Sequence, residues 1–374
     1  MKKSLKTAIS LLACVAVAAG TFAFAACADE QDPALEQPVV SYVSTDSTVY
    51  SSTAEVVSEV ADTVVEISTE AVTTQWGMQY IVSGAGSGVI VARGSEDDSQ
   101  YLIITNNHVI DGADDILVRT RSGAEYKAEL VATDDAADIA VVSIYSENLL
   151  KLATWGNSDD LQIGEDLIAI GNPLGSLGGT VTKGILSATE RNILVGEHYM
   201  TLLQTDTAIN PGNSGGGLFN MRGELIGVVN AKTSDEEVEG ICFAIPANTA
   251  KDTFDDLVSH GYVVGRATFD ITLSEGSISS GIGTSNTIAY VTALGENVED
   301  GTFELYDRIY KINGVEISSI AEYNAALAQI EPGDEVTFEV FRGKLENHGI
   351  FGGTQISFES QSTTFTATAL QYGA

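Results

Sequence analysis

The sequence predicts a mainly β protein in two units: an all-β barrel or sandwich, then a smaller unit mixing strands with a helix. Three observations predict it. Hydrophobic residues make up 44% of the 374, with 37 glycines and only 6 prolines, which is the make-up of a globular, turn-rich chain rather than a disordered one. Short β-branched runs recur between Gly, Asn and Asp turns up to about residue 245, with little helix among them. A helix-prone stretch, Ala247 to His260, then closes that series, and a second series starts near residue 262.

The elements follow in order. "TAEVVSEV" has a plausible cap at Ser52 or Thr53, and Val56, Val57 and Val60 share one helical face. Strand-like runs then stand at Ser87–Ala92, Tyr101–Thr105, Ile116–Thr120, Ile139–Ile144, Leu167–Ile170 and Leu225–Val229. The second unit shows strand-like runs at Ala289–Thr292, Arg308–Ile312 and Val336–Phe341, with a helix at Ile320–Gln329. No internal repeat is visible. The domains expected are therefore a leader at 1–27, a flexible tether at 28–52, a first domain at 53–260 and a second at 262–374.

The leader carries Lys2, Lys3 and Lys6 ahead of an uncharged Ala/Leu/Val-rich run from Thr7 to Ala28, the pattern of an export signal. Three readings stay open. "AFA" (Ala23 to Ala25) suits a signal peptidase. "FAAC" resembles the lipobox of bacterial lipoproteins, with Cys27 lipidated, although Phe24 stands where Leu is usual. The run is also nearly long enough for a signal anchor, but Ala and Gly make it only weakly apolar. Each reading places the protein outside the cytoplasm, in the bacterial cell envelope or secreted. If Cys14 is removed and Cys27 lipidated, Cys242 is the one cysteine left, so no intrachain disulfide forms.

Fifty-two acids against 18 bases give a formal charge of −34, which argues against nucleic acid, because phosphate neutralisation needs clustered Lys and Arg. Acid clusters such as Glu96-Asp97-Asp98 read as solvated loops. No histidine spacing suits a metal, and nothing calls for a cofactor.

With only four histidines in the sequence, a search for a catalytic constellation is sharp. His108 follows an apolar strand in "TNNHVI", Asp138 precedes another in "DDAADIAVV", and Ser214 lies in "NPGNSGGG". A nucleophilic serine needs a base for its proton and a carboxylate to hold the base's tautomer. Each residue alone reads as a turn or strand-end residue; together, at strand ends and in the order His–Asp–Ser, they point to acyl transfer. "GNSGG" also fits the G-x-S-x-G elbow of α/β-hydrolases, but that family needs Ser, then acid, then His. Only His260 and His348 follow Ser214, in a helix and in a Gly-rich hairpin, and alternating βα units are missing.

"ITNNHVI", "TDDAADIAVV", "IAIGNPLG", "TVTKGILSA", "LLQTDTAINPGNSGG", "GELIGVVN" and "FAIP", in this order over roughly 53–260, resemble the chymotrypsin-like protease domain of the HtrA/Deg family. The resemblance implies a double β-barrel endopeptidase that cleaves unfolded or damaged polypeptides, with a trimer as the usual assembly. It implies Ser214 as nucleophile, His108 as general base and then acid, and Asp138 as orienting carboxylate. The amides of Gly212 and Ser214 would form the oxyanion hole. Gly217 departs from the family's usual Pro or Ala. The primary pocket would be built from Ala208 and Ile209, from a strand Asn230-Ala231-Lys232 that pairs with substrate, and from the strand Ile241 to Ala244. Lys232 is expected to point outward. Cys242, where the family commonly has glycine, either narrows the pocket towards Ala or Val or faces the barrel core.

"LYDRIYKINGVEISSIAEYNAALAQIEPGDEVTFEVFRG" is similar to the family's PDZ domain, with Asp307 and Asn313-Gly314 in register. Such domains take the carboxyl termini of polypeptides by strand addition. Here Asp270 stands where the carboxylate loop usually has glycine, which implies weakened or altered recognition, unless a divergent strand shifts the register. A function from another class also fits the sequence: a catalytically silent, chaperone-like peptide-binding protein using the same groove and PDZ domain. The intact His, Asp and Ser argue against it. Tyr42 and Tyr50 in the tether are candidates for packing between subunits.

Overall fold

The computed structural model describes residues 39–40, 49–75, 78–94, 97, 99–172, 179–209, 212–231, 240–281, 284–347 and 354–373. The leader, Cys27, Tyr42 and Lys232 lie outside these. No described helix is long and apolar enough to cross a membrane.

Two seven-stranded sheets come first, each a closed ring of six strands with one two-residue strand added, Val39–Val40 in the first and Thr154–Trp155 in the second. Strands β1 (Val64–Gln75), β2 (Met78–Arg93), β3 (Gln100–Thr105), β4 (Asp115–Arg119), β5 (Glu125–Asp134) and β6 (Ile139–Tyr145) pair in the order β2-β1-β4-β5-β6-β3, and β3 returns to β2. Strands β7 (Asp166–Gly171), β8 (Thr180–Val195), β9 (His198–Thr205), β10 (Gly217–Asn220), β11 (Glu224–Asn230) and β12 (Cys242–Pro246) pair in the order β10-β7-β8-β9-β12-β11, and β10 closes on β11. Closure pairs the first and last strands of each ring with one another instead of leaving them as long open edges.

The apolar runs of the central strands follow from this packing. In β6, Ala140, Val142 and Ile144 fill the first barrel, while Ile139 and Val141 face a core shared by both barrels. In β11, Ile226 and Val229 fill the second barrel and Leu225 and Val228 face the shared core. A strand buried on both sides has no polar face, so it reads as an unbroken apolar run.

Two helices complete the shared core. α1 (Thr53–Val60) begins at Ser52, whose hydroxyl accepts from Glu55 N, and it buries Val56 and Val60. Tyr50 just before it packs on the same core, and its N–H donates to Met221 O at 3.0 Å. Between them in sequence, α2 (Asn107–Ile110) is a single turn after β3. α3 (Ala247–His260) buries Phe254, Leu257 and Val258, and it stops at Gly261 in the left-handed region (φ 81°).

The second unit is a six-stranded antiparallel sheet whose main path is β13 (Ile271–Gly281), β14 (Thr284–Leu294), β15 (Arg308–Ile312), β16 (Glu335–Phe341) and β17 (Thr363–Thr368), in that order; the short strand Val315–Glu316 pairs with β15, and α4 (Ile320–Leu327) lies beside the sheet. Phe269, Phe303, Phe338 and Phe365 form its centre, with edge-to-face ring contacts of 4.7–4.9 Å.

Candidate active site

The site lies where the two barrels meet. β3 ends at Thr105, and α2 presents His108. Asp138 sits in the tight turn between β5 and β6, 3% exposed, with a left-handed backbone (φ 50°). Its Oδ2 lies 2.7 Å from His108 Nδ1, and its Oδ1 accepts the His108 backbone N–H at 3.0 Å. A carboxylate only accepts, so Nδ1 carries the proton and the lone pair falls on Nε2. The Asp138 carbonyl accepts from Asn106 Nδ2 at 2.9 Å and from Asn107 N at 3.2 Å, which fixes the acid's backbone against α2.

Ser214 comes from the second barrel, in the turn before β10. Gly212 (φ 97°) and Gly215 (φ 80°) adopt conformations that side chains disfavour, and a Cβ at Gly215 would stand 2.1 Å from the Ser87 carbonyl. The glycines in this turn are therefore required by close backbone approach. Ser87, on β2 of the first barrel, holds the turn: its N–H donates to Ser214 O at 2.8 Å and its hydroxyl to Gly212 O at 2.6 Å. The amides of Gly215 and Gly216 donate to Val229 O and Asn213 O. Among the described residues the amides of Gly212 and Ser214 make no hydrogen bond.

Adjacent residues at the end of β11 link the acid to the serine. Asn230 Nδ2 donates to Asp138 Oδ2 at 2.8 Å, and Ala231 N donates to Ser214 Oγ at 3.3 Å. Asp138 thus bonds His108 directly and is joined to Ser214 through the adjacent residues Asn230 and Ala231. Asn230, expected to pair with substrate, also turns its side chain to the acid. Ser87 carries no signal in the sequence, because it is one small residue in a Gly/Ser run and the turn it holds lies more than a hundred residues away.

Of the expected pocket residues, Ala208 is exposed and its carbonyl accepts from Thr182 Oγ1 at 2.8 Å, while Ile209 is buried. Cys242 belongs to the core cluster of the second barrel, with Ile209 in the same cluster and Ala231 packed against it. Burial pushes its thiol up, the Ile209 N–H bonded to it acts in the opposite sense, and the Asp206 charge adds to the rise. Among the described residues no group of His, Cys, Asp and Glu is arranged to hold a metal ion.

In the second unit Asp270 is also left-handed (φ 54°), its carbonyl accepting from Gly295 N at 2.7 Å and its carboxylate from Asn297 N at 2.9 Å. The carboxylate, just ahead of β13, therefore staples the loop that follows β14.

A trypsin-like peptidase domain model matches residues 86–228, and a PDZ domain model matches residues 281–348. The Serine protease Do-like HtrA of Bacillus subtilis (strain 168) is 37% identical over 281 residues, 71% of this chain and 62% of its own length. The periplasmic serine endoprotease DegP of Escherichia coli (strain K12) is 36% identical over 288 residues, 72% of this chain and 57% of its own length. The chain thus spans less than two thirds of the length of these curated relatives. Among solved structures, the HtrA-type protease AlgW with tripeptide gives a TM-score of 0.52 at 31% identity, covering 86% of this chain and 98% of that one. The same protease with decapeptide gives 0.53 at 30%, covering 86% and 99%. With a trypsin-like double barrel followed by a PDZ domain, the chain belongs to the HtrA-type family of serine proteases.

Proposed function

We propose that the protein is an exported serine endopeptidase that cleaves unfolded or damaged polypeptides through an acyl-enzyme. The observation that carries this reading is the 2.7 Å contact between His108 Nδ1 and Asp138 Oδ2, beside a glycine-framed Ser214. With Nδ1 protonated, His108 Nε2 takes the Ser214 hydroxyl proton as Oγ attacks the scissile carbonyl. Asp138 stabilises the resulting imidazolium, which then protonates the leaving amine. The unspent amides of Gly212 and Ser214 are the donors for the tetrahedral oxyanion. Water completes the cycle by the same proton transfers in reverse order.

Residues 53–260 form the protease domain and 262–374 the PDZ domain in this reading. Ala208, Ile209, Ala231 and Cys242 wall the primary pocket, and the backbone of 230–232 pairs with substrate. Relatives described as periplasmic support a location outside the cytoplasm, and the leader supplies the export signal, with lipidation at Cys27 the favoured anchor. The resemblance supports a homotrimer. Covalent labelling by a fluorophosphonate tests the activity: wild type labels and Ser214→Ala does not. A wild type that stays unlabelled while binding unfolded protein would favour the silent, chaperone-like alternative.

A further inference from the structure

The acid turn is held from outside the first barrel. Asp138 keeps a left-handed backbone that residues with a Cβ seldom adopt, and such a conformation persists only where the surroundings over-determine it. The two carboxylates ahead of it supply the restraint. Asp134 is 2% exposed; its Oδ2 accepts the Ala137 N–H at 2.7 Å, and its Oδ1 takes Arg266 Nη1 at 2.7 Å. Arg266 lies past α3, at the entrance to the second unit. Asp135 Oδ1 accepts from Asn107 Nδ2, the neighbour of His108, at 3.3 Å. Its Oδ2 faces His198 Nε2 at 3.2 Å, at the tip of the β8–β9 hairpin, where Asn324 of α4 donates to Glu197 O at 2.8 Å.

Two contacts thus run from the second unit to the turn that carries the acid. One is an ion pair between a buried carboxylate and a part-exposed guanidinium, and the other a longer relay through the hairpin. Burial raises the Asp134 carboxyl, and the Arg266 charge is the main influence opposing that rise. Arg266 therefore helps Asp134 stay ionised while it holds the Ala137 amide, one residue from Asp138.

We propose that Arg266 and Asp134 are a positioning pair for the triad: the second unit holds the acid turn in working geometry through them, with His198–Asp135 as a weaker second brace. The proposal rests on the reading that Asp138 orients His108. A purely adhesive ion pair would alter stability and leave turnover alone. A positioning pair lowers kcat with little change in KM, because ground-state binding lies elsewhere.

The test uses the full-length protein and a short fluorogenic peptide that ends in Ala or Val before the reporter. Arg266→Gln, Arg266→Lys, Asp134→Asn and the Arg266→Gln/Asp134→Asn double variant are assayed below their melting temperatures. Arg266→Gln and Asp134→Asn should each lower kcat about tenfold or more, since small displacements of catalytic groups are amplified in rate. KM should stay within about twofold. Arg266→Lys should recover part of the loss, and the double variant should fall no further than the worse single one. Folded Arg266→Gln and Asp134→Asn variants with kcat near wild type overturn the proposal. Variants that do not fold also count against it, because the pair is then part of the scaffold. Wild type that fails to label with a fluorophosphonate sinks the underlying enzyme reading instead, so the two failures are told apart.

Discussion

Asn230 and His108 converge on a single oxygen, Asp138 Oδ2, at 2.8 and 2.7 Å. The carboxylate is almost fully buried, so each donor replaces hydration that the charge has lost. Removing one donor should therefore be felt in turnover. Asn230→Ala is expected to lower kcat/KM by 10- to 100-fold, corresponding to about 1–3 kcal/mol for a hydrogen bond to a buried charge. Asn230→Asp should be worse, because it faces one carboxylate with another. Steady-state assays on folded variants check this, and an Asn230→Asp enzyme as active as wild type would contradict it.

Ser214→Ala and His108→Ala are each expected to abolish proteolysis and leave the fold intact. Asp138→Asn should cost roughly 10^4 in kcat through the wrong imidazole tautomer. A chelator should leave activity unchanged. Full inhibition by a chelator would count against serine chemistry at this site.

Cleavage is expected after small aliphatic residues such as Ala or Val. The residues expected to wall the pocket, Ala208, Ile209, Ala231 and Cys242, include no acid, so a basic side chain would find no partner among them. The sulfur of Cys242 beside Ile209 takes up room that a glycine would leave open. Discrimination by a methylene or so amounts to about 1–3 kcal/mol, so the preference should be graded. Profiling sites in an unfolded protein tests the pocket. An unchanged profile in Cys242→Gly would assign the cysteine to the barrel core alone.

Stability of the second unit should depend on pH through Asp307. This side chain is fully buried, and burial raises its pKa to about 6 against the opposing pull of the Glu304 N–H and Arg342. The folded state thus holds the proton more tightly than the unfolded one. A penalty is present above pH 6, shrinks as pH falls through the folded pKa, and is gone below the ordinary carboxylate value near 3.8. The full swing is about 3 kcal/mol. Melting of wild type should therefore rise relative to Asp307→Asn between pH 7 and pH 5. Parallel curves would show that Asp307 does not carry the effect.

Recognition of apolar C-termini by the second unit should be weak. Asp270 places a negative charge in the loop just before β13, and an incoming carboxylate meets repulsion there. Asp270→Gly removes the charge and suits the left-handed backbone. Titration with apolar C-terminal peptides checks both. Low-micromolar binding by the wild type would refute the expectation.

The sequence announces α3 over its full observed length, Ala247–His260, because an amphipathic pattern and a glycine stop are local signals. It likewise announces β6 and β11 through their unbroken apolar runs. It does not announce β5 or β8. "EYKAELVATD" and "TVTKGILSATERNILV" place charged residues on an exposed barrel face, and pairing with neighbours, not composition, makes them strands. His108, Asp138 and Ser214 stand out as candidates because glycine spacing and scarce histidines are local facts. The supports of Asp138 and Ser214 are not. Asn230, Ser87 and Arg266 reach the site across long stretches of sequence, and only the fold brings them there.

Ser87 belongs to the first barrel, yet it holds the backbone on both sides of the nucleophile in the second. Synthesis therefore delivers His108 and Asp138 before Ser214, and the Ser214 turn gains its clamp only when the two barrels meet. A polypeptide emerging amino end first holds no complete pair of barrels until β12 (Cys242–Pro246) has been delivered and docked between β9 and β11. The construction itself acts as a safety catch. The half-built molecule cannot attack its neighbours, because it has nothing to cut them with.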